Sequence, residues 1–131
     1  MNIFIVNQNP DSTYNDQEGK HYDYPTSIPN GKQIKVGDLL IFNLNKKTTI
    51  KLNLGDCRLI GIAKIDNITI YKSPNNKEMS LASYEWYREF KTPLTFEQLG
   101  GKDLRTNINN SMNKLESNEI VEILSNIIKF I

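Results

Sequence analysis

The chain alternates between short apolar runs and polar turn sequences, a pattern typical of a protein built mainly from β-strands. Residues 3–6 and 39–42 are continuous apolar runs of strand length. Residues 57–65 form a third predicted strand, and residues 67–71 alternate between apolar and polar positions. Most of these segments are separated by turn formers rather than by helices, which argues against a doubly wound sheet.

Two further segments have less decisive patterns. Residues 49–54 alternate and predict a half-buried strand, with Lys46-Lys47 before it at a hairpin tip or in a loop. Residues 81–90 fit either a strand or a helix, and as a strand they would place two sets of side chains on opposite faces. The two sets are Tyr84, Trp86, Arg88 and Phe90 against Ser83, Glu85, Tyr87 and Glu89.

Local signals mark three other positions. Gly61 lies inside a predicted strand, which indicates a bulge, a sharp bend or a close approach of another backbone segment. Thr95 and Gln98 have the spacing of a capping box, which predicts a helical turn at residues 95–99. Residues 104–114 are polar and predict a loop.

The last segment has the most regular helical pattern. Ser117 is the predicted N-cap, and Glu119 lies in the first turn. One apolar stripe follows at helical spacing, formed by Ile120, Ile123, Leu124, Ile127, Ile128 and Ile131. The stripe either closes one end of the core or leads into a further domain. We favour the second because no glycine, proline or polar tail follows it.

These elements predict an α+β fold that is mainly β: a small pseudo-barrel of five or six strands with a C-terminal helix and short helical turns. The length of 131 residues predicts a single domain over residues 1–131. A formal net charge of +1 provides no general attraction for nucleic acid, so binding of that kind would need a local patch or a pocket.

Several function classes are disfavoured by the sequence. The single cysteine, Cys57, excludes an intramolecular disulfide and favours a cytoplasmic setting. The apolar start of the chain is too short for a signal peptide or a membrane span, so no membrane association is predicted. His21 is the only histidine, no nucleophile motif accompanies it, and the carboxylates lack metal-ligand spacing. We therefore predict a domain that is not an enzyme and that uses neither a metal nor a cofactor.

Aromatic side chains are the strongest candidate chemistry. They are Tyr14, Tyr22, Tyr24, Tyr71, Tyr84, Trp86 and Tyr87. Each can be a core residue, or two or three can form a stacking pocket for a flat ligand such as a nucleobase. The polar side chains that follow the first strand are Asn7, Gln8, Asn9 and Ser12. They form either an ordinary polar loop or a set of groups that reads the edge of a ligand.

Basic side chains near these segments could contact the phosphates that flank a bound base. The selected candidates are Lys20, Lys32, Lys46 and Lys47. Isolated surface lysines do not indicate nucleic-acid binding, and these residues support it only if several of them border one pocket.

The order of several segments resembles a known family. In chain order they are Asn7-Gln8-Asn9-Pro10, Tyr24-Pro25, 34–42, 59–65 and 87–96. Over residues 3–124 the chain looks like the EVE-like branch of the PUA-like superfamily, which is related to the YTH domains. The resemblance implies a small pseudo-barrel that flips a modified base out of nucleic acid into an aromatic cage.

The resemblance also implies which residues line the pocket. Asn7, Gln8 and Asn9 match polar pocket positions of the family, and Tyr22 and Tyr24 lie near a pocket aromatic that is commonly Trp. Trp86 and Tyr87 are the other candidates, although Tyr87 fits a core position as well.

The implied function is non-catalytic recognition of methylated or hydroxymethylated DNA. The domain would act as the specificity module of a restriction NTPase or nuclease, which would be a C-terminal domain of the same protein or a partner subunit. Three alternatives remain: an RNA-binding module of the same barrel class, a protein-interaction or oligomerisation domain that uses the C-terminal stripe, and an enzyme acting on a small nucleotide.

Overall fold

The computed structural model describes residues 1–8, 21–100, 112–115 and 117–131. The strands of this part are β1 (Ile3–Gln8), β2 (His21–Pro25), β3 (Leu39–Leu44), β4 (Leu59–Lys72), β5 (Glu78–Leu94) and β6 (Met112–Lys114). The helices are α1 (Lys46–Lys51), α2 (Phe96–Leu99) and α3 (Ser117–Ile127). The predicted α+β class with a predominance of strands is therefore confirmed.

The strands form one mixed sheet in the order β2-β5-β4-β3-β1-β6. The pair β1–β3 is parallel, whereas the other neighbours are antiparallel. The sheet is strongly curled. Its curl is evident from the rings of Tyr22 on β2 and Phe42 on β3, which lie 6.5 Å apart although β5 and β4 separate these strands in the sheet. This curl gives the sheet the shape of a partial barrel.

A hydrophobic cluster lies on each face of the sheet. The helical core, which α2 and α3 cover, comprises Ile3, Ile5, Leu39, Ile41, Leu59, Ile62, Phe90, Leu94, Phe96, Leu99, Leu115, Ile123 and Ile127. The aromatic core, inside the curl, comprises Phe4, Val6, Tyr22, Tyr24, Ile34, Leu40, Phe42, Ala63, Ile65 and Ala82. Successive residues of β1 and β3 alternate between the two clusters, as the strand period of two requires.

The segment after β3 differs from the prediction. Residues 46–51 form helix α1, so both the hairpin tip at Lys46-Lys47 and the strand over residues 49–54 were wrong. The Asn45 side chain accepts a hydrogen bond from the Thr48 N–H at 2.7 Å, which caps the helix and directs the chain away from a strand. The alternation of apolar and polar residues in this segment does not correspond to a buried face, since Ile50 is exposed.

The strands β4 and β5 form a long hairpin with irregularities. The two strands predicted at residues 57–65 and 67–71 are one continuous strand, and the 81–90 segment lies within β5. On β5, Trp86 pairs with Lys64 and Tyr84 pairs with Ile65, which leaves Glu85 as an extra residue in a bulge. The prediction that Tyr84 and Trp86 share one face of the strand is therefore wrong, because the extra residue between them places their side chains on opposite faces.

The C-terminal helix follows only part of the predicted stripe. The helix begins at Ser117, which is therefore its first residue rather than the cap before it, and it ends at Ile127. Ile128, which follows the last residue of the helix, is 72% exposed. Phe130 packs against the helical core instead, and its carbonyl accepts the Lys91 N–H at 2.9 Å.

The polar segment before α3 contains strand β6, so the loop predicted at residues 104–114 was wrong for its last three residues. The rest of that segment lies outside the described residues. In the described part of the chain, every helix falls short of the length and hydropathy needed to cross a membrane.

The predicted capping box of α2 is confirmed. The Gln98 N–H donates to Thr95 Oγ1 at 3.2 Å, and the Thr95 N–H donates to Gln98 Oε1 at 2.8 Å. Replacement of Thr95 by alanine should lower the free energy of unfolding by about 1 kcal/mol, because a donor of the first turn loses its acceptor. Urea unfolding measures this change, and the exposed Thr92→Ala should stay within about 0.5 kcal/mol of the original protein.

Candidate nucleic-acid site

The predicted site residues fall into several environments. Asn9, Ser12 and Lys20 lie outside the described residues, and Gln8 is described only as the last residue of β1. The remaining candidate lysines, Lys32, Lys46 and Lys47, are all exposed.

Tyr22 and Tyr24 are core residues. They are 4% and 1% exposed, and their rings stack with centroids 5.4 Å apart and an interplanar angle of 21°. The Tyr24 side chain hydrogen-bonds to Ser80, whose hydroxyl lies 2.7 Å from that of Thr26. These two rings therefore form the interior wall of the curled sheet rather than an open stacking surface.

Burial determines the ionisation of Tyr24. Desolvation raises the pKa of its phenol above 10.0, and the hydrogen bond with Ser80 only partly offsets this effect. The unfolded chain therefore releases the phenol proton at a lower pH than the folded protein. The resulting contribution to stability is complete below pH 10.0 and is lost as the pH rises from there towards the folded-state pKa.

The aromatic core continues outwards to two half-buried tyrosines. The Phe42 ring lies 5.6 Å from that of Tyr84 and 5.7 Å from that of Tyr87, at interplanar angles of 62° and 56°. Tyr84 and Tyr87 are nearly parallel to each other, with centroids 6.3 Å apart and an angle of 20°. We call Phe42, Tyr84 and Tyr87 the tyrosine cage, in which the buried Phe42 ring packs against both half-buried tyrosine rings.

Two irregularities of the hairpin build the tyrosine cage. The Glu85 bulge brings Tyr84 and Tyr87, three positions apart, to the same face of β5. Gly61 on β4 provides room for the Tyr87 phenol, since a Cβ atom at Gly61 would lie 2.8 Å from Tyr87 Oη and 2.9 Å from the Arg88 carbonyl. The close approach predicted at Gly61 is confirmed, and a register shift beside it supplies the predicted bulge.

Asn7 and Trp86 lie on the opposite face of the sheet. Trp86 packs against the helical core. Asn7 pairs with Asn43 on the parallel strand β3, and Asn43 Nδ2 donates to Asn7 Oδ1 at 2.7 Å. Asn43 is 1% exposed, and among the described residues its Oδ1 is the buried side-chain atom without a hydrogen-bond partner. The structure therefore does not bring Asn7 and Trp86 together with Tyr22, Tyr24 and Tyr87.

Phe42 also belongs to the aromatic group, although it was not among the predicted site residues. Its only signal was membership of the apolar run at residues 39–42, which predicts burial and not ring packing. The interaction of Tyr71 with Asp23 was not predicted either; the Tyr71 hydroxyl lies 2.7 and 2.8 Å from the two carboxylate oxygens. Asp23 is buried in strand β2, so this contact is part of the scaffold beside the aromatic core.

The centroids of Tyr84 and Tyr87 are 6.3 Å apart, which is less than the roughly 7 Å that a ring stacked between them would need. A flat ligand could therefore contact only the accessible side of these two half-buried rings, and the amide pair lies elsewhere. Comparisons with protein-family models, with curated proteins and with solved structures found no match for this chain.

Proposed function

We propose that this domain is a non-catalytic reader of a modified base in nucleic acid, with DNA as the preferred nucleic acid, and that an extruded base stacks on the accessible side of the tyrosine cage. The observation that carries the proposal is the pair of nearly parallel, half-buried tyrosine rings, which the buried Phe42 ring supports from below. Base–aromatic stacking contributes about 1–3 kcal/mol per base. A methyl or hydroxymethyl group on the base would add apolar contact with the rings.

The charge of the domain supports recognition through the base rather than through the backbone. A net charge of +1 gives weak attraction for phosphates as a whole. Lys32, Lys46 and Lys47 are exposed and are the proposed phosphate contacts. The salt dependence of binding should therefore be shallow, with a slope of about −1 for each phosphate neutralised.

The family resemblance supports the rest of the proposal. A reader without catalytic groups exerts an effect only through an effector, and the proposed effector is a restriction NTPase or nuclease in the same chain or in a partner subunit, acting in the cytoplasm. The domain would supply the specificity of that assembly, and the effector would supply the chemistry.

The test is a titration with duplexes of one sequence that carry 5-methylcytosine, 5-hydroxymethylcytosine, N6-methyladenine or no modification. We expect one modified duplex to bind at least about tenfold more tightly than the unmodified one, because a damaged or modified base is easier to extrude and better held. Tyr87→Ala should weaken that binding by about 1–3 kcal/mol, whereas Tyr87→Phe keeps the ring and should retain most of it. Fluorescence anisotropy measures each affinity.

The controls separate the base pocket from the backbone contacts. Lys47→Ala should weaken binding to all duplexes alike and reduce the salt slope by about 1. Equal affinity for all four duplexes, or an unchanged affinity in Tyr87→Ala, would contradict the proposal. Stronger binding of single-stranded RNA than of any duplex would contradict the assignment to DNA.

A further inference from the structure

In the described residues, the outer half of β4 has a strand neighbour on one side only. The pairing of β4 with β3 ends at Lys64, and the last backbone hydrogen bonds on that side join Ile65 to Gly37 and Asp38. From Asn67 onwards, β4 pairs within the described ranges only with β5, and Asp66 is the extra residue at the register shift between Ile65 and Asn67. We call residues 66–72 the open edge.

The open edge directs alternate peptide groups away from the hairpin. The Ser73 N–H donates to the Lys77 carbonyl at 2.9 Å, so the odd-numbered residues of this half direct their peptide groups towards β5. The peptide groups of Ile68, Ile70 and Lys72 therefore point away from β5. A row of this kind is a template for pairing with a further strand.

The composition of the open edge favours pairing. Its sequence is Asp66-Asn67-Ile68-Thr69-Ile70-Tyr71-Lys72. The central residues are β-branched and aromatic, and the segment contains no proline or glycine. Ile70 is 60% exposed, so apolar surface accompanies the unpaired backbone groups.

We propose that the open edge pairs antiparallel with the open edge of a second copy of this chain, around a two-fold axis at Thr69. In this register Ile68 of each copy faces Ile70 of the other, and Asp66 of each copy faces Lys72 of the other. The opposite charges are equidistant from Thr69, and this self-complementarity selects a second copy over an unrelated strand. A shift of the register by two residues would separate both ion pairs.

The remaining properties of the chain fit a reversible symmetric dimer. The net charge of +1 gives little repulsion between copies. A two-fold contact uses the same surface twice and closes without further growth. The dimer continues the sheet through about four central backbone hydrogen bonds, which is a small interface, so we expect a dissociation constant between about 1 µM and 1 mM.

Charge exchange tests the register. In sedimentation equilibrium, Asp66→Lys and Lys72→Asp should each raise the dissociation constant about tenfold or more, since each places like charges opposite one another. The double variant should restore the original value. Lys51→Asp makes the same charge change as Lys72→Asp at an exposed position of helix α1, and it should leave the dissociation constant unaltered. A wild-type chain that stays monomeric up to about 1 mM, or a double variant as weak as the singles, would overturn the proposal.

Cysteine cross-linking gives a second readout. In a Cys57→Ser background, Thr69→Cys should form a disulfide between copies, because residues opposite each other in a non-hydrogen-bonded antiparallel pair have Cα atoms about 4.5 Å apart. Asn67→Cys would face Tyr71 of the other copy and should form none. Equal cross-linking at positions 67 and 69, or none at position 69 under oxidation, would overturn the proposed pairing.

Discussion

Replacement of Phe42 by alanine should lower the free energy of unfolding by about 3–5 kcal/mol, the range for truncation of a buried aromatic ring. The Phe42 ring is in contact with those of Tyr22, Tyr84 and Tyr87, at centroid distances from 5.6 to 6.5 Å. These partners lie on two different strands, so the cavity left by the ring cannot close through movement of one side chain. Urea unfolding followed by tyrosine and tryptophan fluorescence measures the loss.

A surface variant provides the comparison for Phe42→Ala. Ile128 is exposed beyond the end of α3, and Ile128→Ala should change the free energy of unfolding by no more than about 0.5 kcal/mol. If Phe42→Ala lost as little as Ile128→Ala, then the Phe42 ring would not be the packed support of the tyrosine cage.

Substitution of Gly61 by valine should cost about 3 kcal/mol, at the upper end of the range for overpacking. Even a single added Cβ atom would lie 2.9 Å from the Arg88 carbonyl and 2.8 Å from Tyr87 Oη, and the two further methyl groups of valine add to the conflict. The carbonyl belongs to the paired backbone of β5 and cannot move without disturbing the hairpin. The same variant should also weaken binding of the modified duplex, because Tyr87 is displaced.

Gly100 is the matched control for Gly61. Its backbone is extended, with φ −168° and ψ 161°, and an added Cβ atom would meet no described neighbour closer than 3.8 Å. Gly100→Val should therefore change the free energy of unfolding by no more than about 0.5 kcal/mol in the same urea titration. Similar losses at both glycines would show that the contact with Tyr87 and Arg88 is not the cause.

Most of the fold could be predicted from local patterns. The apolar runs at residues 3–6 and 39–42 identified β1 and β3 because both strands are buried on two faces, which leaves an uninterrupted apolar sequence. The Thr95 and Gln98 spacing identified α2. Helix α1 was not predicted because six alternating residues cannot distinguish a strand from a helix on the surface; the sequence signal for the helix is the capping side chain of Asn45.

The site was less predictable than the fold. Strand alternation assigns faces only while the register is regular, and the extra residue at Glu85 reverses the assignment for Trp86 and Tyr87. A bulge has no distinct residue signature at this position, so the face of each ring could not be deduced. Asn7 lies on the side of the helical core because it is an even number of positions from Ile3 and Ile5 along β1.

The parallel pairing of β1 with β3 has a consequence for the order in which the molecule can assemble. The Asn7–Asn43 contact joins residues 36 positions apart, and Thr26 meets Ser80 across 54 positions, whereas β4 and β5 are joined by a tight turn. Closing long loops costs more chain entropy than closing short ones, so the β4–β5 hairpin is the part of the sheet that can form first. Until β3 joins it, the hairpin exposes the edge of β4 that faces away from β5. At that stage a nascent chain is most vulnerable to pairing with the wrong strand.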